Sequence, residues 1–260
     1  MDEANTNHPF IMNEPQLKPF LKPLRKAVLI GVGLHLGSAF AQTSGASVRA
    51  KAGVAQTQQA PALAATDTAD RLASGAEIFE NLTEGAAAMD AATYKKALSE
   101  FEKLYPEIYP RLPPDRKIRL DTLVTGVRNA WQKGNRGAMA IQSIEAYRLL
   151  QESIDHGGQL VPIEVSLLDY AGFKLNGLLL STRRDWKEVA RTAQEASKWW
   201  SAIGPGIADK TLREAMDHRI EGINDGAARN DPELLRFAAA MDLILVDGLE
   251  AFFGSHPPTP

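Results

Sequence analysis

Residues 163–180, IEVSLLDYAGFKLNGLLL, are apolar on most sides and follow Pro162, a residue that a helix accepts in its first turn. This run predicts the most buried helix of the molecule. Gly172 and Gly177 interrupt it, and each costs about 1 kcal/mol relative to alanine inside a helix. A close helix crossing at the two glycines is the ready explanation for both.

The helical signal extends to both sides of this run. Upstream, Ala138, Ile141, Ile144, Tyr147 and Leu150 share one face, closed by Asp155-His156-Gly157-Gly158. Before them, Ile118, Val124, Val127 and Trp131 form a stripe that ends at Gly134, with Asn135 placed to cap the next helix. Leu72, Ala76, Phe79, Leu82 and Ala86 form an earlier stripe, and Tyr94, Leu98, Phe101, Tyr105 and Ile108 another. Pro106, Pro110, Pro113 and Pro114 then punctuate the chain. Downstream, Asp185 with Glu188 opens a helix through Trp186, Val189, Ala193, Ala196 and Trp200, ended by Gly204-Pro205-Gly206. Leu212, Met216, Ile220, Ile223 and Ala227 line a seventh helix. Asp231-Pro232 starts an eighth, with a core face expected at Leu235, Ala238, Met241, Leu245, Leu249 and Phe252. No strict alternation competes with these patterns. The fold class is all-α: about eight amphipathic helices in antiparallel hairpins, as a helical bundle or a short α-solenoid. A shift of 96 residues lays Asp121 on Asp217, Gly126 on Gly222, Val127 on Ile223 and Asn135 on Asp231, which fits either a duplicated helical unit or the chance matches that helical periodicity produces.

Residues 27–41, AVLIGVGLHLGSAFA, follow Lys18, Lys22, Arg25 and Lys26 and end on Ala39-Phe40-Ala41. This pattern predicts a secretory signal peptide over 1–41, cleaved between Ala41 and Gln42, and a periplasmic or secreted bacterial protein. The alternative is a retained signal anchor. The apolar run is shorter than the ~20 residues a spanning helix needs, and no later segment is long and charge-free, so no stable membrane insertion is expected after cleavage. Residues 42–66 are small and polar and read as a disordered linker. A single helical domain is expected over 67–254, with a flexible tail at 255–260. The chain has no cysteine, which removes a lipobox anchor, disulfides, c-type haem attachment and thiolate metal sites. Its net charge is −3 with both signs interspersed, so nucleic acid is an unexpected partner.

Few residues point to chemistry. His218 is flanked by Glu214 and Glu221 on one helix face, the strongest candidate for a metal site; a solvated charged face is the plain reading. His156 sits in the glycine-containing loop, where a ligand could approach closely or where the histidine simply accompanies a helix stop. Trp199 and Trp200 are adjacent, so their rings diverge by about 100° and cannot both face one core. One of them is expected toward a binding surface or packed under Gly204-Pro205-Gly206. Met89, Met139, Met216 and Met241 are scattered, which fits core packing better than a thioether site. No nucleophile elbow, zinc-protease motif, phosphate loop or dinucleotide fingerprint occurs. The sequence predicts a protein that is not an enzyme and carries no cofactor.

The order of features resembles the YfdX family of secreted helical bacterial proteins. The likeness rests on the leader, the Ala55-Gln56-Thr57-Gln58-Gln59 segment, and Lys133-Gly134-Asn135-Arg136-Gly137-Ala138-Met139 at a helix turn. It continues with Val161-Pro162, Asp185-Trp186-Lys187-Glu188-Val189-Ala190 and the closing Leu245-Val246-Asp247-Gly248-Leu249-Glu250-Ala251-Phe252. It covers residues 70–203 and the closing segment; the helical pair at 208–253 is additional. The resemblance implies a stress-linked periplasmic protein with chaperone-like binding and pH-sensitive assembly, and no residue inherits a catalytic role. The expected partners are protein or peptide clients, or a second copy through self-association. A metal- or cofactor-binding bundle built on His218 is the alternative.

Overall fold

The buried run at 163–180 forms helix α5 (Ile163–Leu180), thirteen of whose residues are buried. The computed structural model describes residues 59–255, with side chains described from residue 67. The expected signal peptide, its cleavage point and residues 42–58 lie outside the described residues. Around α5 stand α1 (Gln59–Gly85), α2 (Ala91–Ile108), α3 (Pro114–Gln132), α4 (Arg136–Gln151), α6 (Trp186–Ile203), α7 (Lys210–Arg229) and α8 (Pro232–Ser255), with 3-10 turns at Tyr109–Arg111 and Gly204–Gly206. Among the described residues there are eight α-helices and no strand. None of these helices is long and apolar enough to cross a membrane.

Local chemistry sets the helix ends. Asp90, Asn135, Asp185 and Asp209 each accept a backbone N–H three residues on, at 2.7, 3.0, 3.1 and 3.0 Å. Helix α1 starts at Gln59, so residues 59–66 of the expected linker are helical. Alanine is the best helix former, Pro61 sits in the first turn, and extending an existing helix avoids the nucleation cost.

The helices form a bundle in which two consecutive sets of four, here called the two copies, share most of their pairings. Within the first, α1 packs on α2 and α4, and α3 on α4; within the second, α5 packs on α6 and α8, and α7 on α8 and also on α6. The 96-residue shift lays α2 on α6, α3 on α7 and the start of α4 on that of α8. The connections match in detail. Gly134 and Asn230 both take positive φ, 63° and 53°, at equivalent positions. The next residue's N–H reaches back to a carbonyl in each copy, Asn135 to Ala130 at 2.9 Å and Asp231 to Gly226 at 2.8 Å. Gly126 faces Gln142 just as Gly222 faces Ala238. Asp121 accepts from the Tyr105 hydroxyl at 2.6 Å and Asp217 from the Trp200 indole at 2.7 Å. The contact of α4 with α5 joins the two copies.

Both glycines of α5 mark crossings. Gly177 faces Ala140 of α4, and a Cβ on Gly172 would overlap the Asp242 carboxylate of α8. Helix propensity alone favours Gly172→Ala by about 1 kcal/mol. Overpacking against Asp242 should reverse that sign and cost about 1–3 kcal/mol in denaturant unfolding; a more stable G172A protein would refute the close approach.

Two expected core faces shift. Ile118 is 69% exposed, because α3 buries Leu120, Leu123, Val124 and Val127 instead. On α8 the buried face runs through Leu235, Ala238, Ala239, Asp242, Val246 and Leu249, which leaves Met241 and Leu245 half-buried. That helix is apolar all round, so its periodicity does not select one face.

Candidate functional site

Helix α3 stands between two grooves. It is tied to α2 by Arg128–Glu102 at 2.9 Å, by the Tyr105 and Tyr109 hydroxyls on Asp121 at 2.6 and 3.3 Å, and by the stacked Tyr94–Trp131 rings at 4.1 Å. The other side is held to α4 by Arg119–Glu145 at 3.0 Å. Between these ties an open groove of about 720 Å³ runs along α3 and α4, lined by Ile118, Asp121, Thr122, Thr125, Asn129 and Gln142 among others. A second, of about 400 Å³, lies between α2 and α3 over Phe101, Tyr105, Val124 and Arg128, and the two share Asp121 and Thr125.

The chemistry of this surface is that of recognition. Ile118 offers a large aliphatic side chain to solvent, and Thr122, Thr125, Asn129 and Gln142 offer neutral donors and acceptors. Asp121 is engaged by two phenols, so it is a fixed acceptor. Burial, then the hydrogen bond and charge of Asp121, push the Tyr105 hydroxyl well above its ordinary range and keep it protonated.

The sequence-predicted residues fall elsewhere. Glu214, His218 and Glu221 of α7 are the 96-residue counterparts of Ile118, Thr122 and Thr125, so the second copy replaces the neutral groove face with a charged one. All three are exposed; His218 Nδ1 lies 3.6 Å from Glu221, while Glu214 pairs with Lys210 at 3.5 Å. Among the described residues no group of three or more His, Asp or Glu side chains could hold a metal ion. His156 closes the α4–α5 loop, with Nδ1 2.9 Å from Gln159 Oε1 and Nε2 2.9 Å from the Gln151 carbonyl. Trp200 is buried, donates to Asp217 and packs against Gly204. Trp199 is half-buried, edge-on to Tyr170 at 6.1 Å with the Arg148 guanidinium 5.4 Å from its ring centre. The two rings diverge as their spacing requires, one into the core and one toward the surface.

A buried ionic cluster at the seam of α4, α5 and α6 escaped the sequence reading. Lys174, 2% exposed, donates to Glu145 at 2.8 Å and to the Tyr170 hydroxyl at 2.7 Å, and pairs with Glu188 at 2.6 Å. Tyr170 donates to the same Glu145 oxygen at 2.6 Å. Burial disfavours the ammonium, but the charge of Glu145 and the hydrogen bonds of Glu145 and Glu188 outweigh it and hold Lys174 protonated. Arg191 first, then Lys174 against the cost of burial, brings Glu188 down to about 2. Burial and the Glu145 charge push Tyr170 up to about 12. Every member has a partner, so the cluster fixes the register of the two copies and offers no free acid or base. The signal for it was a lone lysine inside the apolar run at 163–180.

A second buried pair joins Arg219 of α7 to Asp242 of α8 against Gly172. No protein-family model, curated protein or solved structure matches this chain.

Proposed function

We propose that this protein is a non-enzymatic, chaperone-like binding protein of the periplasm, with a stress-related role, that takes peptide segments of protein clients along α3. The observation that carries the reading is the groove of about 720 Å³ lined by the exposed Ile118 and by the neutral Thr122, Thr125, Asn129 and Gln142, together with Asp121 and Lys133. An apolar client side chain would lie on Ile118 while its backbone meets Thr122, Thr125, Asn129 and Gln142. The leader at 27–41 supports the address, and the YfdX resemblance supports the stress-linked role.

Fluorescence anisotropy with a dye-labelled amphipathic peptide, paired with suppression of aggregation of a denatured client, tests this. Ile118→Asp, at an exposed position, should leave helicity unchanged and weaken peptide binding by about tenfold or more. Glu214→Ala, at the counterpart position on α7, should leave binding unchanged. Absence of peptide binding, or equal affinity of the I118D protein, would sink the proposal.

A further inference from the structure

The two copies differ in what covers their fourth helix. In the first, α4 lays Ile141, Ile144, Glu145 and Arg148 against α5: Ile141 beside Gly177, Glu145 on Lys174 and Tyr170, Arg148 over the Tyr170 ring at 4.9 Å. The residues 96 positions on are Phe237, Ala240, Met241 and Ile244 of α8. They share one face of the helix, and no described helix covers that face. Phe237 is 66% and Ile244 50% exposed. The opposite side of α8 is consumed by α5 and α7 through Asp242 at Gly172, Leu235 at Gly226 and Ala238 at Gly222. The uncovered face of α8 is therefore more apolar than its covered counterpart, which carries Glu145 and Arg148. An apolar stripe of this kind marks an interaction surface.

Its occupant follows from the other end of the bundle. A head-to-tail contact repeating the α4–α5 joint would bring α1 of another copy onto α8. The matching face of α1 is mostly polar: around the half-buried Ile78 it carries Asp70, Ser74, Glu77 and Asn81, all exposed, and Ser74 and Asn81 already bond to carbonyls of their own helix. An apolar face does not pair with that one, and such a contact would grow without closure. A two-fold contact of α8 with α8 matches apolar to apolar. In an antiparallel pair centred beside Met241 the same edges of both helices face each other, with the chain direction reversed. Arg236 and Asp247 lie on one edge, about equally far from that centre. Each Arg236, which also pairs with Glu233 of its own helix, then meets the Asp247 of the other copy.

We propose that the α8 face of Phe237, Ala240, Met241 and Ile244 is the contact of an antiparallel two-fold dimer of this chain. The dimer uses a different surface from the α3 groove, so the I118D substitution leaves it intact and the two readings fail separately.

Sedimentation equilibrium of the full chain from about 1 to 100 μM tests it. A monomer–dimer equilibrium is expected, and Phe237→Asp with Ile244→Asp should weaken it by about 100-fold or more with unchanged helical circular dichroism, because both side chains are exposed. Arg236→Asp and Asp247→Arg should each weaken the dimer, and the two together should restore it. That restoration identifies the contact even if the double aspartate protein folds poorly. A wild-type chain that stays monomeric at the highest concentration overturns the proposal, as it would if residues 1–58 of the same chain cover α8. So does a dimer that persists in the F237D/I244D protein, or charge reversals whose effects add instead of cancelling.

Discussion

Replacing Arg219 by methionine should lower the free energy of unfolding by about 3–5 kcal/mol, the largest loss expected from any single side chain in this bundle. Arg219 and Asp242 are both almost fully buried and paired with each other, and Asp169 contributes a further negative charge nearby. Removing the guanidinium leaves the Asp242 carboxylate against the Gly172 backbone with no cation to offset its desolvation. In the intact protein burial pushes Asp242 up to about 7, opposed by the charge and hydrogen bond of Arg219 and by the Gly172 backbone. The pH dependence follows from that direction. An acid raised above its unfolded value of 3.8 contributes stability that is present below that value and is lost as pH rises through the folded one. The deficit of the R219M protein, read by urea unfolding, should therefore be larger at pH 8 than at pH 5. Adding Asp242→Asn removes the stranded charge and should recover more than half of the loss. A deficit below about 1 kcal/mol, or no recovery in the double variant, would show that the pair is solvated.

The positions that were legible in the sequence are those whose physics is local. The apolar run of α5 announces its burial; Asn135 and Asp185 announce the helices they cap; and four matched positions 96 apart announce the repeat that the paired helices then display. What stayed hidden depends on distance along the chain. Lys174 finds Glu145 29 residues upstream and Arg219 finds Asp242 on the next helix, partners that no periodicity specifies. Ile118 fits the apolar pattern of α3 yet faces solvent, because the space beside α3 is set by where α2 and α4 stand. Met241 and Leu245, expected in the core face of α8, are only half-buried for a related reason. On a helix as rich in apolar residues as α8, the neighbours decide which face is core, and among the described residues no helix lies against the face that includes Met241.

Lys174→Met should be the second most damaging change, at about 3–5 kcal/mol near neutral pH. Among the described residues the ammonium is the only cation whose contacts reach Glu145, Glu188 and Tyr170 together, which ties α4, α5 and α6 at a single point. Without it Glu145 retains Arg119 and Glu188 retains Arg191, both at the more exposed edge of the cluster. The Tyr170 hydroxyl keeps Glu145 as its acceptor. The thioether fills most of the vacated volume, so the loss is electrostatic more than steric. Acid titration separates the two. Burial raises Glu145, but Lys174, Tyr170 and Arg119 together hold it below its ordinary value, and Glu188 is brought to about 2 by Arg191 and Lys174. Carboxylates depressed in the folded state supply stability that is full above their unfolded value of 4.5 and is lost as pH falls toward about 2. In the K174M protein Glu145 rises toward or above 4.5 and Glu188, still held down by Arg191, rises part of the way, so less stability remains to be lost on acidification. The gap between wild type and K174M should accordingly be widest near pH 7 and close markedly by pH 3. A gap that is constant with pH would assign the loss to packing and remove Lys174 from its place as the electrostatic tie between the two copies.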